Sequence, residues 1–251
     1  MKTVLITGCS SGFGLETARY FLDRDWHVIA TMRTPRAELL PASPHLQVIA
    51  LDVTDPASVA VAVEAAGAID VLVNNAGVGA AAPFELTEPA LARALFETNT
   101  IGTMAMCQAV LPQFRARGAG TIVNVTSTVT LKALPLLSLY TASKAAVNAF
   151  TACMAIELAP FGIAVRTVLP GRSPETRFGE NAHRQGLDSA DYADLIQRAV
   201  ADITDAAGPV THATDVAEAV WRAATDPAAP SRIPAGRDAV ELARETGVSA
   251  P

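Results

Sequence analysis

Cysteine is scarce in this chain of 251 residues: Cys9, Cys107 and Cys153 are widely spaced, odd in number and without a CxxC pair. Such a set argues against a disulfide framework and against a zinc site. Cys107 and Cys153 fall in helical patterns and are expected to be buried small hydrophobes. Lysine is scarcer still for its class, with Lys2, Lys132 and Lys144 set against sixteen arginines, and the net charge is −6. An acidic chain lacks the positive face that phosphate backbones require, so no nucleic-acid partner is expected. No apolar run reaches the roughly 20 residues that span a bilayer, so no membrane partner is expected either. The first apolar run, Val4-Leu5-Ile6, is too short for a leader and a glycine-rich stretch follows at once. A reduced, cytoplasmic, soluble protein is the expectation. Charged residues make up only 18% and hydrophobic residues 50%, the reverse of a disordered chain.

What is present is an alternation of short β-branched runs with Ala- and Leu-rich amphipathic stretches. Strands are predicted at 2–7, 27–31, 46–51, 69–74, 120–125, 164–169 and 231–234. Helices are predicted at 13–24, 57–66, 87–117 (long and open to a break), 139–159, 189–202 and 215–225. Strands apolar on both faces belong in a parallel sheet covered by helices. Right-handed crossovers then give an α/β fold, a doubly wound Rossmann-type sheet with helices on both faces. The length suits one domain over residues 1–251. Gly171–Ser189 breaks the pattern: it is polar, glycine- and proline-containing and rich in Arg and Glu. A loop of that length in a compact domain is usually functional, and residues 171–205 are expected to form a substrate lid.

Thr7-Gly8-Cys9-Ser10-Ser11-Gly12-Phe13-Gly14 joins the first strand to the first helix. Glycines there permit a tight turn and close approach of a pyrophosphate, and a helix N-terminus offers free N–H groups. The spacing is GxxxGxG rather than GxGxxG. At the end of the second strand, where an acid would bind a ribose 2′-hydroxyl, the chain reads Ala30-Thr31-Met32-Arg33. Arg33 suits a 2′-phosphate, with Arg36 nearby, so NADP(H) is preferred over NAD(H). Asp52, followed by Val53, ends the third strand and is placed to accept from an adenine amino group. Asn74-Asn75-Ala76-Gly77 ends the fourth, where small residues let backbone approach a ligand.

Tyr140 and Lys144 stand at i and i+4, on one face of a helix. A tyrosine of ordinary pKa near 10 needs a neighbouring ammonium to lower it before it trades protons readily at neutral pH. Ser127 lies just past the strand ending in Val125, again at a carboxyl end, where a hydroxyl can donate to a developing oxyanion.

These residues together make the chain resemble the classical short-chain dehydrogenase/reductase family over nearly its whole length. TGCSSGFG is similar to that family's TGxxxGxG, NNAG matches at 74–77, and Ser127, Tyr140 and Lys144 match the catalytic spacing. Pro170-Gly171 matches the turn after the sixth strand, and Asn99 matches the family's helix asparagine. The resemblance implies that Tyr140 is the general acid–base and that Lys144 lowers its pKa and holds the nicotinamide ribose. It further implies that Ser127 orients the substrate carbonyl and that Asn99 supports a proton relay. Cofactor contacts are expected from Gly8, Ser10, Ser11, Gly12, Phe13, Gly14, Arg33, Asp52, Val53, Asn75, Ala76, Gly77, Tyr140, Lys144, Pro170 and Gly171. No metal is needed. A homodimer or homotetramer is implied, and Ala145, Ala149, Ala152 and Ala155 offer a surface for close helix packing.

The chain departs from the family pattern at Cys9, Phe13 and Thr130, and at 173 and 175, where an aliphatic residue and a threonine are usual. Thr176 is a substitute after a one-residue shift. Apolar pocket walls are expected from Phe84, Leu131, Leu134, Leu136, Leu137 and Phe178, which favour a hydrophobic ketone, aldehyde or alcohol. The lid arginines and Lys132 leave an anionic substrate open. Two alternatives stand beside the enzyme: a nucleotide-binding regulator without turnover, and an extended-type sugar-nucleotide epimerase or dehydratase. The first is disfavoured by the presence of the full catalytic set, the second by the short C-terminal region.

Overall fold

The structure, a computed structural model, describes residues 1–204 and 208–247; residue 205, the last of the expected lid, lies outside them. In chain order the elements are β1 (Thr3–Ile6), α1 (Gly12–Leu22), β2 (His27–Met32), β3 (Leu46–Ala50), α2 (Pro56–Ala66), β4 (Val71–Asn74), β5 (Ala80–Ala81), α3 (Pro89–Phe96), α4 (Gly102–Arg117), β6 (Gly120–Val125), α5 (Ser138–Leu158), β7 (Ile163–Pro170), β8 (His183–Arg184), α6 (Ala193–Thr204), α7 (Ala213–Thr225), β9 (Arg232–Ala235) and α8 (Arg237–Glu245). Seven strands form one parallel sheet in the order β3-β2-β1-β4-β6-β7-β9. The winding reverses between β1 and β4, so the carboxyl ends of those strands diverge there and open a crevice.

Alternation along each strand explains the two cores. Val4 and Ile6 of β1 pack on one side with Val28, Phe21 and Val220, beneath α1 and α7. Leu5 faces the other side with Ile29, Leu72 and Ile122, beneath α2, α4 and α5. Phe21, Trp26 and Trp221 meet edge-on at 5.0–5.7 Å between α1 and α7. Arg166, buried in β7, donates to the carbonyls of Ala223, Pro227 and Ala229 and so satisfies the end of α7.

The helical stretch predicted over 87–117, open to a break, is interrupted: α3 and α4 are joined by a π turn, Glu97–Ile101, with Asn99 buried inside it. The structure departs from three other expectations. Cys153 is exposed, not core, because it falls on the outward face of α5. Helix α8 adds an element that the periodicity does not predict; its nine residues include five charged ones, and only Ala239 and Ala243 are buried. The two-residue ribbon of β5 and β8 is a further addition, since neither piece has a strand-like pattern.

Candidate active site

The turn after β1 is small because backbone fills the space where side chains would stand. Gly8 has φ +75° and Gly12 φ +58°, both in the left-handed region. A Cβ on Gly8 would come within 2.8 Å of Ala76 Cα, and one on Gly14 would collide with Asn75 Nδ2 and Gly8 O. Thr7 and Asn75 are the braces. Thr7 Oγ1 accepts from the amides of Asn75 (3.0 Å) and Ala76 (2.9 Å), and Asn75 Nδ2 donates to Thr7 O (3.0 Å) and Gly8 O (3.1 Å). Asn75 therefore holds the turn through its side chain, while Thr7 is a contributor that the glycine spacing alone does not reveal.

Helix α1 opens at Gly12 with Ser11 as an extended N-cap that makes no side-chain capping bond, and its first turn holds no acid. Its leading N–H groups are thus left for an anion. Cys9 is core instead: burial pushes its thiol up to about 12 and its Sγ lies 3.3 Å from Ile6 O. Arg33 is exposed at the end of β2, and Arg36 Nη2 donates to Ser10 O at 3.3 Å, across the turn. Arg36 thus reaches the turn itself, while Arg33 stands exposed at the strand end. A dinucleotide fits these residues: the uncapped helix takes the pyrophosphate, and the glycine cradle leaves it room. Asp52 is half-buried, and its carboxylate accepts from Thr54 N (3.0 Å) and Thr54 Oγ1 (2.7 Å), which hold it below the usual carboxylate range. Val53 is buried directly beneath Gly102, whose Cβ would lie 2.7 Å from Val53 Cγ2.

The catalytic candidates converge. Tyr140, Lys144, Ser127 and Asn99 are all buried. Ser127 follows β6 and caps a short 3₁₀ turn, accepting from Val129 N at 3.3 Å, and its side chain stands near enough to the Tyr140 phenol to act on its titration. Lys144, one turn along α5 from Tyr140, donates to Val125 O at 3.1 Å. Burial dominates the titration of both groups. It pushes the Tyr140 phenol up to about 12, with the Ser127 bond acting in the opposite sense, and pushes the Lys144 ammonium down to about 8. The protein matrix alone therefore raises the phenol by burial, opposed by Ser127, rather than lowering it through Lys144. Asn99 Oδ1 accepts from Val78 N (2.8 Å), and its Nδ2 donates to Val78 O (2.9 Å) and Ser143 Oγ (3.0 Å). A Cβ on Gly77 would lie 3.1 Å from Asn99 Oδ1 and 3.2 Å from Lys144 Nζ. Asn99, Gly77 and Lys144 thus meet at one point, and only the π turn aims Asn99 there.

Pro170 ends β7 and Gly171 starts the strap that follows. A Cβ on Gly12 would touch the Thr176 side chain at 3.5 Å, which agrees with the one-residue shift of that threonine. The Phe178 ring tilts against Tyr140 at 5.7 Å between centroids. Beside them the crevice lined by Ala82, Leu91, Leu136, Leu139 and Tyr140 holds only about 10 Å³. Of the other expected walls, Leu136 is buried, Phe84 and Leu134 are exposed, and Leu131 and Leu137 are intermediate. Among the described residues, no group of three or more His, Cys, Asp or Glu is placed to hold a metal ion, and no helix is long and apolar enough to cross a membrane.

Comparison with known proteins agrees with this geometry. A family profile described as short chain dehydrogenase matches residues 2–186. A 3-ketodihydrosphingosine reductase from Bacteroides thetaiotaomicron is 36% identical over 205 residues, 79% of this chain and 74% of that protein. A solved short-chain dehydrogenase from Streptomyces avermitilis superimposes with a TM-score of 0.86 at 33% identity, covering 97% of this chain and 91% of that one. The closed form of a serine dehydrogenase complexed with NADP⁺ gives a TM-score of 0.80 at 27% identity, over 94% and 95% of the two chains. The chain belongs to the short-chain dehydrogenase/reductase family and is an NAD(P)-dependent oxidoreductase.

Proposed function

We propose that this protein, acting as one catalytic domain, interconverts a hydrophobic ketone or aldehyde and its alcohol, with NADP(H) preferred over NAD(H). The observation that carries the reading is the convergence of Ser127, Tyr140, Lys144 and Asn99, all buried, beyond the carboxyl end of β6, with Lys144 held by Val125 O and the α1 terminus left uncapped. When bound, the nicotinamide supplies or accepts the hydride. The chain does the rest. Tyr140 gives its proton to the carbonyl oxygen in reduction and recovers it in oxidation. Ser127, beside the phenol, donates to the same oxygen and fixes its direction. The Lys144 ammonium, protonated below about pH 8, offsets charge developing on the phenol. Asn99 holds the Gly77–Val78 bend beside that ammonium and supports the path by which its proton is replaced.

The preference for NADP(H) rests on Arg33 and Arg36 at a strand end with no acid, and the NADP⁺-bound serine dehydrogenase agrees with it. A hydrophobic substrate is supported by Phe178 lying against Tyr140 and by Leu91, Leu136 and Leu139 lining the crevice beside it. The Bacteroides relative, named for a keto substrate, agrees with a carbonyl compound. Because Phe178 lies on Tyr140, residues 171–205 act as a lid that must shift before substrate enters. Assembly as a homodimer or homotetramer is supported by α5, whose Ala145, Ala149, Ala152 and Ile156 are exposed while its other face packs inward.

NADPH oxidation measured against a panel of hydrophobic ketones tests the reading: turnover is expected, and NADPH binding without turnover would leave the regulator in its place. Arg33→Asp is expected to shift preference toward NADH, whereas equal loss with both cofactors would make Arg33 structural.

A further inference from the structure

We propose that Asp238, in the first turn of α8, is a positioning residue for hydride transfer, acting with Thr211 to set the backbone of the Pro170-Gly171-Arg172 turn. The inference rests on the reading that this turn borders the nicotinamide side of the crevice. The Asp238 carboxylate makes two bonds outside its own helix. Oδ2 accepts from Arg172 N at 2.6 Å, and Oδ1 accepts from Thr211 Oγ1 at 2.6 Å. Thr211 Oγ1 in turn accepts from Gly171 N at 2.9 Å, and Thr211 N donates to Arg172 O at 2.8 Å. Both amides that follow Pro170 are thereby fixed, one through a hydroxyl and one directly by a carboxylate.

The contact is built rather than incidental. A Cβ on Gly171 would collide with the Asp238 carboxylate, and one on Gly236, at φ +98°, would collide with Thr211 Oγ1. Thr211 is fully buried. Capping of α8 does not account for the arrangement, since Gly236 makes no side-chain cap and both carboxylate oxygens reach other segments. The sheet ladder ends at Pro170, paired with Ala235. Beyond it the bonds the strap makes within itself, such as Thr176 to Ser173 O, Asn181 N to Arg177 O and Arg177 to Glu180, lie further along the chain than Arg172. The departure angle of the strap at Gly171 is therefore set by the external clamp. Charge-assisted bonds of this length are the strong kind, and the direction of a wall beside a reacting ring is what orientation effects act through.

The test uses the full chain with NADPH and a hydrophobic ketone that the wild type reduces. Asp238→Ala is expected to lower kcat about ten- to a hundredfold and to raise the isotope effect seen with C4-deuterated NADPH. Asp238→Asn is expected to restore most of kcat. Its amide oxygen takes the Arg172 N–H, its NH₂ donates to Thr211, and the Thr211 proton turns to Ala235 O, 2.8 Å away. Glu241→Ala, which breaks only the exposed pair with Arg237 on α8, is expected to leave kcat and isotope effect unchanged. Should Asp238→Ala not fold, Thr211→Val and Thr211→Ser supply the same contrast between a lost and a kept hydroxyl. Wild-type kcat and isotope effect in Asp238→Ala or Thr211→Val would overturn the inference alone, as would a fall in kcat that merely tracks Tm across all variants. A wild type that binds NADPH but reduces nothing would overturn the functional reading, and this inference with it.

Discussion

The two sides of the crevice are held by different physics. On the side built from β1, α1, β4 and α5, there is no room for a side chain at the glycines: a Cβ on Gly8 would meet Ala76, one on Gly14 would meet Asn75 and Gly8 O, and one on Gly77 would meet Asn99 and Lys144. On the other side, the strap from Gly171 to Gly186 is largely exposed. Its ties to the rest of the chain include Asp238 and Thr211 at its root, Glu175 with His212 and Ala213, Phe178 on Tyr140 and the β5–β8 ribbon further on. The matched family region takes in both sides and ends at residue 186, at the far end of the strap. The strap lays the Phe178 ring against Tyr140.

The contrast breaks most clearly at Tyr140. Tyr140→Phe removes the phenolic proton donor beside Ser127, and turnover is expected to fall about a thousandfold while NADPH, titrated by its fluorescence, binds as before. Unchanged turnover would move the chemistry elsewhere.

Glycine scanning sharpens the contrast. Gly14→Ala drives a methyl into Asn75 and Gly8 O and is expected to cost about 1–3 kcal/mol by denaturant titration, with loss of NADPH binding. Gly179→Ala in the strap meets nothing within 4 Å and is expected to stay within about 0.5 kcal/mol of the wild type. Equal effects at the two positions would erase the distinction.

Lys144 separates stability from activity on the close-packed side. Its ammonium is held in a buried site that lowers it from 10.5 to about 8. Lys144→Met is therefore expected to gain about 2 kcal/mol of stability at pH 7, after allowing for the lost bond to Val125 O, while losing activity. The sign follows from proton counting. Between pH 8 and 10.5 the unfolded chain keeps this proton and the folded chain does not, so wild-type stability rises with pH across that window. Chemical denaturation of the wild type and Lys144→Met at pH 7 and pH 9.5 is expected to show the difference between them shrinking.

The smallest effect is expected at the strap. His212 Nδ1 lies 2.9 Å from Glu175 Oε2, which raises the imidazole and lowers the carboxyl. The Glu175 share of stability is present above pH 4.5 and fades as pH falls through its lowered value. The His212 share is present below pH 6.5 and fades as pH rises through its raised value. Both side chains are well exposed, so the contribution is small. Faster amide exchange confined to the strap at pH 9 than at pH 6.5, abolished by Glu175→Gln, is the expected signature.

Much of the close-packed side is legible in the residue order. GxxxGxG after a β-branched run, NNAG at a strand end, and Ser127, Tyr140 and Lys144 at their spacing each depend on local pattern, and each stands where the pattern puts it. Less legible are features that depend on distant partners. The π turn at Asn99 reads as plain helix in sequence because its extra residue is selected by Val78 and Ser143, far along the chain. Helix α8 reads as a polar tail because it is short, five of its nine residues are charged, and the stripe it buries is made of the small side chains Ala239 and Ala243. Cys153 has the same helical neighbours as a buried residue, and only the docking of α5 on the sheet turns it outward.

By itself, then, the order of residues determined the alternation of strands and helices, the glycine turn after β1 and the placing of Tyr140 and Lys144 on one helical face, because these follow from backbone sterics and from periodicities of two and 3.6 residues. Tertiary structure alone decided that Phe178 lies on Tyr140, that Asp238 grips the root of the strap, and that burial rather than a neighbouring charge governs Tyr140. Those outcomes depend on contacts between segments tens of residues apart and on how much water is excluded from between them.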